Sequence, residues 1–324
     1  MKVLIAPLNW GLGHAGRCIP LVIRYLRSGD EVVLAGDGDS LLLLRKHFPG
    51  LRYYNLAPLD LRYSSGKRQV GAMMRALPKL LRWARKDHQR LSDILAEEHF
   101  DILISDNRFG CYSSKVKSVY ITHQLHIFLP HPWKGLEKKV EQWHCRIAHR
   151  FDECWVPDYA GMPNLSGGLS HDVLLAWNDI VQYIGPLSRM TDYRTIAADR
   201  RYEVVIILSG LEPQRTLLER HLLSEWAHRP EQVLLVRGQI SAPPTVMHKK
   251  NITVVPYLGD EALAAVLLGA NTIIARSGYS TIMDLDALKV LSKATLIPTP
   301  GQPEQEYLAT LRRDEQENHK MTIR

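Results

Sequence analysis

The sequence predicts an α/β protein built from two doubly wound domains. Short apolar, β-branched runs alternate with helically spaced segments along almost the whole chain. That rhythm restarts after a polar, proline-bearing stretch, residues 185–199 (GPLSRMTDYRTIAAD), which reads as a linker. At 324 residues the chain is too long for one compact core and suits two. The expected domains are 1–184 and 185–324. Strands separated by helices make βαβ units and parallel sheets, whose ligands bind beyond the carboxyl ends of the strands.

Taken in order, residues 2–6 (KVLIA) form a first strand closed by Pro7, and 19–27 a helix that stops at 28–30. Residues 31–35 (EVVLA) give the second strand, and 101–105 (DILIS), 118–122 (SVYIT) and 154–157 (CWVP) the later ones. In the second half, 203–209 (EVVIILS), 232–237 (QVLLVR), 252–256 (ITVVP), 272–275 (TIIA) and 295–298 (TLIP) are five strands with helical patterns between them. Residues 66–90 break the rhythm, because Met73, Met74, Leu77, Leu80, Leu81 and Trp83 interleave with Lys and Arg. This segment is either a core-packed helix with a solvated basic face or a helix lying on anionic lipid, and Pro78 should kink or start it.

A 45% hydrophobic and 23% charged composition excludes a disordered or fibrous chain. The net charge of +7 favours anionic partners without choosing among them. Nucleic acid is the weakest of these, because the basic residues are not organised with stacking aromatics. Cys18, Cys111, Cys145 and Cys154 are scattered with no CxxC pair, which argues against a zinc knuckle or a disulfide framework and for a reducing cytoplasm. The opening MKVLIAPLNWG is cut by Pro7 and Asn9, too short for a secretory leader, and no apolar run is long enough to span a membrane.

Residues 11–16 spell Gly-Leu-Gly-His-Ala-Gly after a strand and before a helix, with Asp37 at the end of the next strand. That is the spelling of a dinucleotide fingerprint. The insertion PLNW before Gly11, and the side chains of His14 and Arg17, depart from a bare pyrophosphate loop. In the alternative reading, Gly11 and Gly13 bring the backbone close to another ligand and His14 acts as a general base, unless it merely caps or hydrogen-bonds. Asp37-Gly38-Asp39 spells the DxD of some metal-using sugar transferases, but it reads here as a turn. Asp106, in the loop SDNRFG, and His123, in THQLH, follow later strands and are reserve candidates for the base.

Three polar, glycine-bearing loops follow strands of the second half. Ser209-Gly210 begins one that also carries Arg215. Arg276-Ser277-Gly278-Tyr279-Ser280-Thr281 leads into a helix whose amides and dipole suit an anion, with Asp284 placed for a ribose diol or for a capping box with Thr281. The third, Pro300-Gly301-Gln302-Pro303-Glu304-Gln305, is loaded with amide and carboxylate groups.

Together NWGLGHAGR, SGLEPQR, ARSGYSTIMDL and PGQPEQEYLA resemble glycosyltransferases of the GT-B fold, and among them family 28, which includes the cell-envelope enzyme that forms lipid II. The resemblance implies two Rossmann-like domains facing across a cleft and inverting transfer of a hexose or N-acetylhexosamine from a UDP-sugar to a hydroxyl. It implies no metal or cofactor beyond the donor substrate. His14 matches the histidine of the family's first glycine loop; Ser209 and Gly210 match its phosphate-side loop; Arg276, Ser277 and Gly278 match its RSG. Asp284 stands where the family has a ribose-binding Glu, and Glu304 and Gln305 match its paired Gln region. Asp284 is a methylene shorter than Glu, Glu304 adds negative charge, and only fifteen residues follow Ala309. The terminal helix that ties many GT-B domains together is therefore expected to be short or missing. The acceptor is expected to be lipid-linked or a glycan, on a cytoplasmic protein touching the inner membrane face through 66–90. A UDP-sugar 2-epimerase of the same fold, a NAD-dependent oxidoreductase and a non-catalytic sugar-nucleotide-binding protein remain open.

Overall fold

A computed structural model describes residues 1–59 and 69–322. The chain divides into two compact units after Leu187.

The first unit is a seven-stranded, wholly parallel sheet, ordered β3-β2-β1-β4-β5-β6-β7. Its strands are β1 (Lys2–Pro7), β2 (Glu31–Gly36), β3 (Tyr53–Asn55), β4 (Ile102–Asp106), β5 (Lys117–Ile121), β6 (Glu153–Val156) and β7 (Val181–Tyr183). Val3–Ala6 and Val33–Ala35 are fully buried, so both sheet faces are covered and these runs are apolar without alternation. The covering helices are α1 (Leu12–Arg27), α2 (Gly38–His47), α3 (Gln69–Glu97) and α4 (Glu137–Ala148). Strand order reverses between β1 and β4, which sets the topological switch point of this sheet.

The second unit has a six-stranded sheet, ordered β10-β11-β9-β8-β12-β13. Its strands are β8 (Val204–Ile207), β9 (Val233–Val236), β10 (Met247–Lys249), β11 (Ile252–Val255), β12 (Thr272–Arg276) and β13 (Ala294–Ile297). Only β10 runs antiparallel. Helices α5 (Gln214–Trp226), α6 (Asp260–Gly269), α7 (Tyr279–Ala287) and α8 (Pro303–Thr322) flank the sheet. Here the order reverses between β8 and β12. Both units are thus Rossmann-like.

Several sequence readings need correction. Strands β3, β7 and β10 were not expected; each is three residues long, at or next to a sheet edge, with no apolar run to announce it. The first glycine segment is not a loop, because α1 begins at Leu12 with Gly11 as its N-cap. The stretch 188–199 is not a free linker. Met190 is fully buried in the core of the second unit, and Tyr193 and Ile196 pack against the same cluster. Those apolar residues, three apart, hold a short helical turn against α6. Asp37 is not in an open turn but at the N-terminus of α2. Pro78 lies inside α3, which runs on through it. Residues 66–68 of the basic segment fall outside the described residues, while Trp83 of the same segment is buried and donates to the Ala57 carbonyl (2.8 Å). The residues after Ala309 continue α8 as far as Thr322. Among the described residues no helix is long and apolar enough to cross a membrane.

Candidate functional site

At the switch point of the first sheet, four side chains from three chain segments converge. β1 leads through a short loop to Gly11, whose φ of 80° is the left-handed conformation open to glycine, and α1 starts there. His14 lies in the first turn of α1, and Arg17, three residues on, shares its face. Asp106 ends β4 in register with Pro7 of β1. His123 lies two residues beyond the end of β5. The structure therefore gathers His14, Asp106 and His123, and adds Arg17.

Arg17 is the hub. It grips both oxygens of Asp106 through Nε and Nη2, and its Nη1 donates to His123 Nδ1 (3.0 Å). His14 Nδ1 stands 2.6 Å from Asp106 Oδ1 and 2.9 Å from Arg17 Nη2. Nδ1 cannot donate to one and accept from the other. Burial pushes the Asp106 carboxyl up, but Arg17 and His14 outweigh it and hold the group at about 2, ionised at neutral pH. The carboxylate therefore takes the Nδ1 proton, which leaves Nε2 with the basic lone pair. Burial lowers the His14 pKa, with Asp106 opposing and Arg17 assisting, so the imidazole is neutral when it has work to do. A neutral histidine oriented by a buried carboxylate is fit to accept a proton.

A second polar network backs the first. Asn107, with φ 58°, follows Asp106 and accepts a bond from the Tyr120 hydroxyl (2.7 Å), which lies 3.1 Å from His144 Nε2. Burial lowers His144 to about 4 from 6.5. An unfolded chain takes up a proton at that position in the window between those values and the folded chain does not. Stability is therefore expected to fall as pH drops from 6.5 to about 4, by roughly 3 kcal/mol in full for this one group. Melting temperatures measured across that window should show a flatter slope for His144→Gln than for the parent.

Arg108 closes the base of the same end of the sheet. It is fully buried, donates to both oxygens of Asp87 on α3 and to Asp37 (2.6 Å), and reaches the Ala57 carbonyl (2.8 Å). Asp37, the ribose acid of the dinucleotide reading, is thus turned onto Arg108, with Asn9 donating to its other oxygen (3.0 Å).

In the second unit the three expected loops lie on adjacent strands, after β8, β12 and β13. Gly210, with φ 91°, turns the chain after Ser209. Arg215 sits in the first turn of α5 and donates to Glu212 (2.7 Å), so its charge is drawn to its own loop. Arg276 is buried, and it donates to the Pro298 carbonyl (2.7 Å) and the Gln214 carbonyl (3.1 Å). It acts as a strut across the three loops. Ser277 Oγ donates to the Gln305 carbonyl (2.7 Å), Gln305 Oε1 accepts the Thr299 N–H (2.9 Å), and Gln305 Nε2 donates to Gln302 (2.7 Å). Gly278 caps α7 without a side-chain bond, so the first-turn amides and the positive dipole end of a helix stand at this loop, with Ser280 and Thr281 in that turn. Glu304 occupies the first turn of α8.

Asp284 is not part of a capping box with Thr281. It accepts from Ser188 Oγ (2.6 Å), and Arg189 lies against it while pairing with Asp260 (2.8 Å). Burial raises the Asp284 carboxyl against the pull of Arg189 and Ser188. Arg17 and Arg189 are the residues that the sequence reading did not place at a site. Arg17 could have been found from its helical spacing to His14, whereas Arg189 was hidden in a stretch read as linker.

Two Rossmann-like domains, each with its polar side chains gathered at the switch point, define the fold class of GT-B proteins. No protein-family model matches the chain. A protein of Methanosarcina acetivorans named as an uncharacterized glycosyltransferase is 25% identical over 329 residues, covering 97% of this chain and 82% of that one. Among solved structures, Phytolacca americana UGT2 complexed with UDP-2-fluoro-glucose and pterostilbene superposes with a TM-score of 0.54 at 12% identity, covering 96% of this chain and 82% of that one. Acinetobacter baumannii MurG gives 0.50 at 12% identity, over 97% and 83%. At such identity the likeness to these structures is one of fold.

Proposed function

We propose that this chain is a glycosyltransferase that moves a hexose or N-acetylhexosamine from a UDP-sugar to a hydroxyl acceptor, with inversion and without a metal. The observation that carries the reading is the His14–Asp106 pair at the switch point of the first sheet. The named relative and the GT-B likeness of the fold support it. The unit up to Leu187 takes the acceptor, and the unit from Ser188 takes the donor.

The acceptor hydroxyl gives its proton to His14 Nε2 as its oxygen bonds to the anomeric carbon. The bond from that carbon to the diphosphate oxygen breaks on the opposite face, and UDP leaves with the bonding pair. Asp106 stabilises the imidazolium that forms. The growing charge on UDP is met by backbone amides at Ser209 and Gly210 and by the amino end of α7 at Gly278. Arg276 keeps those loops in mutual register through its two carbonyl bonds. Arg276→Met is expected to weaken UDP binding about tenfold, read by calorimetric titration, without unfolding the chain.

A thermal-shift comparison of UDP, GDP, dTDP and NAD tests the donor class, and UDP should stabilise most. Incubation with UDP-sugars tests the reaction. Free UDP that accumulates only with an acceptor supports transfer, isomerised sugar without an acceptor means epimerase, and binding without turnover over a broad acceptor panel means a sensor.

A further inference from the structure

The strongest surface feature outside the site is the outward face of α4 and of the turn that precedes it, Trp133–Leu136. At 100° per residue, Leu136, Lys139, Trp143 and Arg146 fall within a stripe about 80° wide. The opposite face of the helix, with Glu141, His144, Cys145 and Ala148, is buried, and Ile147 is buried at the edge of the stripe. Three large apolar side chains stand in water here: Trp133 (37% exposed), Leu136 (37%) and Trp143 (40%). Lys139 and Arg146 are exposed in this stripe, and Lys138 is exposed to one side of it.

What sets this face apart from an ordinary solvated helix is the fate of its acids. Glu141 is buried, accepting from the Leu174 N–H (2.7 Å) and paired with His126 (2.7 Å). Glu137 accepts the Leu129 N–H (2.8 Å). Both carboxylates of the helix therefore satisfy its inner side, and among the described residues no ion pair joins a carboxylate to Lys138, Lys139 or Arg146. The outward face is left with tryptophan, leucine and uncompensated cations. That is the chemistry of a polar–apolar boundary with negative headgroups, where indole rings sit at headgroup level and cations add attraction.

We propose that this face docks the protein on an anionic phospholipid surface. The inference stands whether or not the sugar-transfer reading holds. If it holds, the acceptor class is membrane-borne, because the segment leading from His123 to this face is tied to it by the His126–Glu141 pair. It places a membrane contact at 133–146, outside the segment 66–90, whose Trp83 is buried while Leu81 is 45% exposed.

The test is co-sedimentation of the full chain with phosphatidylglycerol and with phosphatidylcholine vesicles at low and high salt. Preference for phosphatidylglycerol is expected, weakened by salt. Lys138→Glu/Lys139→Glu should reduce partitioning at least about tenfold. Trp133→Ala/Trp143→Ala should abolish both the salt-resistant fraction and the blue shift of tryptophan emission on vesicles. Arg82→Glu/Arg85→Glu on exposed positions of α3 makes the same charge change elsewhere and should lose clearly less. Circular dichroism checks that each variant is folded. No preference by the parent chain, parental binding by the α4 charge variant, or equal loss in the α3 and α4 variants would each overturn the assignment.

Discussion

His14→Ala is expected to cut sugar transfer by roughly 100-fold or more while UDP affinity stays within a factor of two of the parent value. The split follows from where the groups lie. His14 belongs to the first turn of α1, in the unit that ends at Leu187, whereas the loops assigned to the nucleotide follow β8, β12 and β13. A base contributes to the chemical step and little to donor binding, so the loss should fall on kcat. The parent pH profile supplies a second check. Burial lowers the His14 pKa, and a base must be unprotonated, so activity should persist below pH 6.5 and fall only as pH drops through the lowered value. An unchanged kcat in the alanine variant would remove His14 from the chemistry, and His123, joined to Arg17 on the same cluster, would become the residue to test.

The parts of the molecule legible in the sequence are those fixed by local pattern. β1, β2, β4 and β8 each carry an unbroken apolar run (VLIA, VVLA, ILI and VVII) because both faces of a parallel sheet are covered, and a run without alternation needs no tertiary knowledge to find. β3 and β10 are recruited by neighbours already in place, so three ordinary residues suffice. The site divides in the same way. His14 is flagged by the glycines beside it, but its partner Asp106 is 92 residues away, and only the parallel pairing of β1 with β4 brings the two together. Asp284 illustrates the converse. Its position suggests a ribose contact or a cap; it makes no cap, and its carboxylate accepts from Ser188 and Arg189, almost a hundred residues earlier. Arg276 enters the sequence reading through the match of Arg276, Ser277 and Gly278 to the family's RSG. What the sequence hides is that burial beneath the loops turns its guanidinium onto the carbonyls of Pro298 and Gln214. Charge in a sequence shows what a side chain offers, and burial decides what it meets.

Arg17→Met should be the most destabilising single change in the site, because it strips a fully buried carboxylate of its fork of donors. Breaking one side of a buried pair costs about 3–5 kcal/mol, most of it the penalty of an uncompensated charge. The pH dependence identifies the cause. In the parent protein Asp106 has its folded-state pKa depressed to about 2 from 3.8, so its contribution is present above 3.8 and is lost as pH falls through about 2. Without Arg17, burial is no longer outweighed and the folded pKa moves upward past the unfolded one. The sign then inverts, and the variant loses stability as pH rises through that value. The gap between parent and variant should therefore be widest at neutral pH and close on acidification, which chemical denaturation at several pH values would reveal. Adding Asp106→Asn should restore much of the loss in the Arg17→Met background, since a neutral amide tolerates the same pocket without a counterion. A double variant as unstable as the single one would mean that Arg17 matters for packing, and that the charge on Asp106 is balanced by His14 alone.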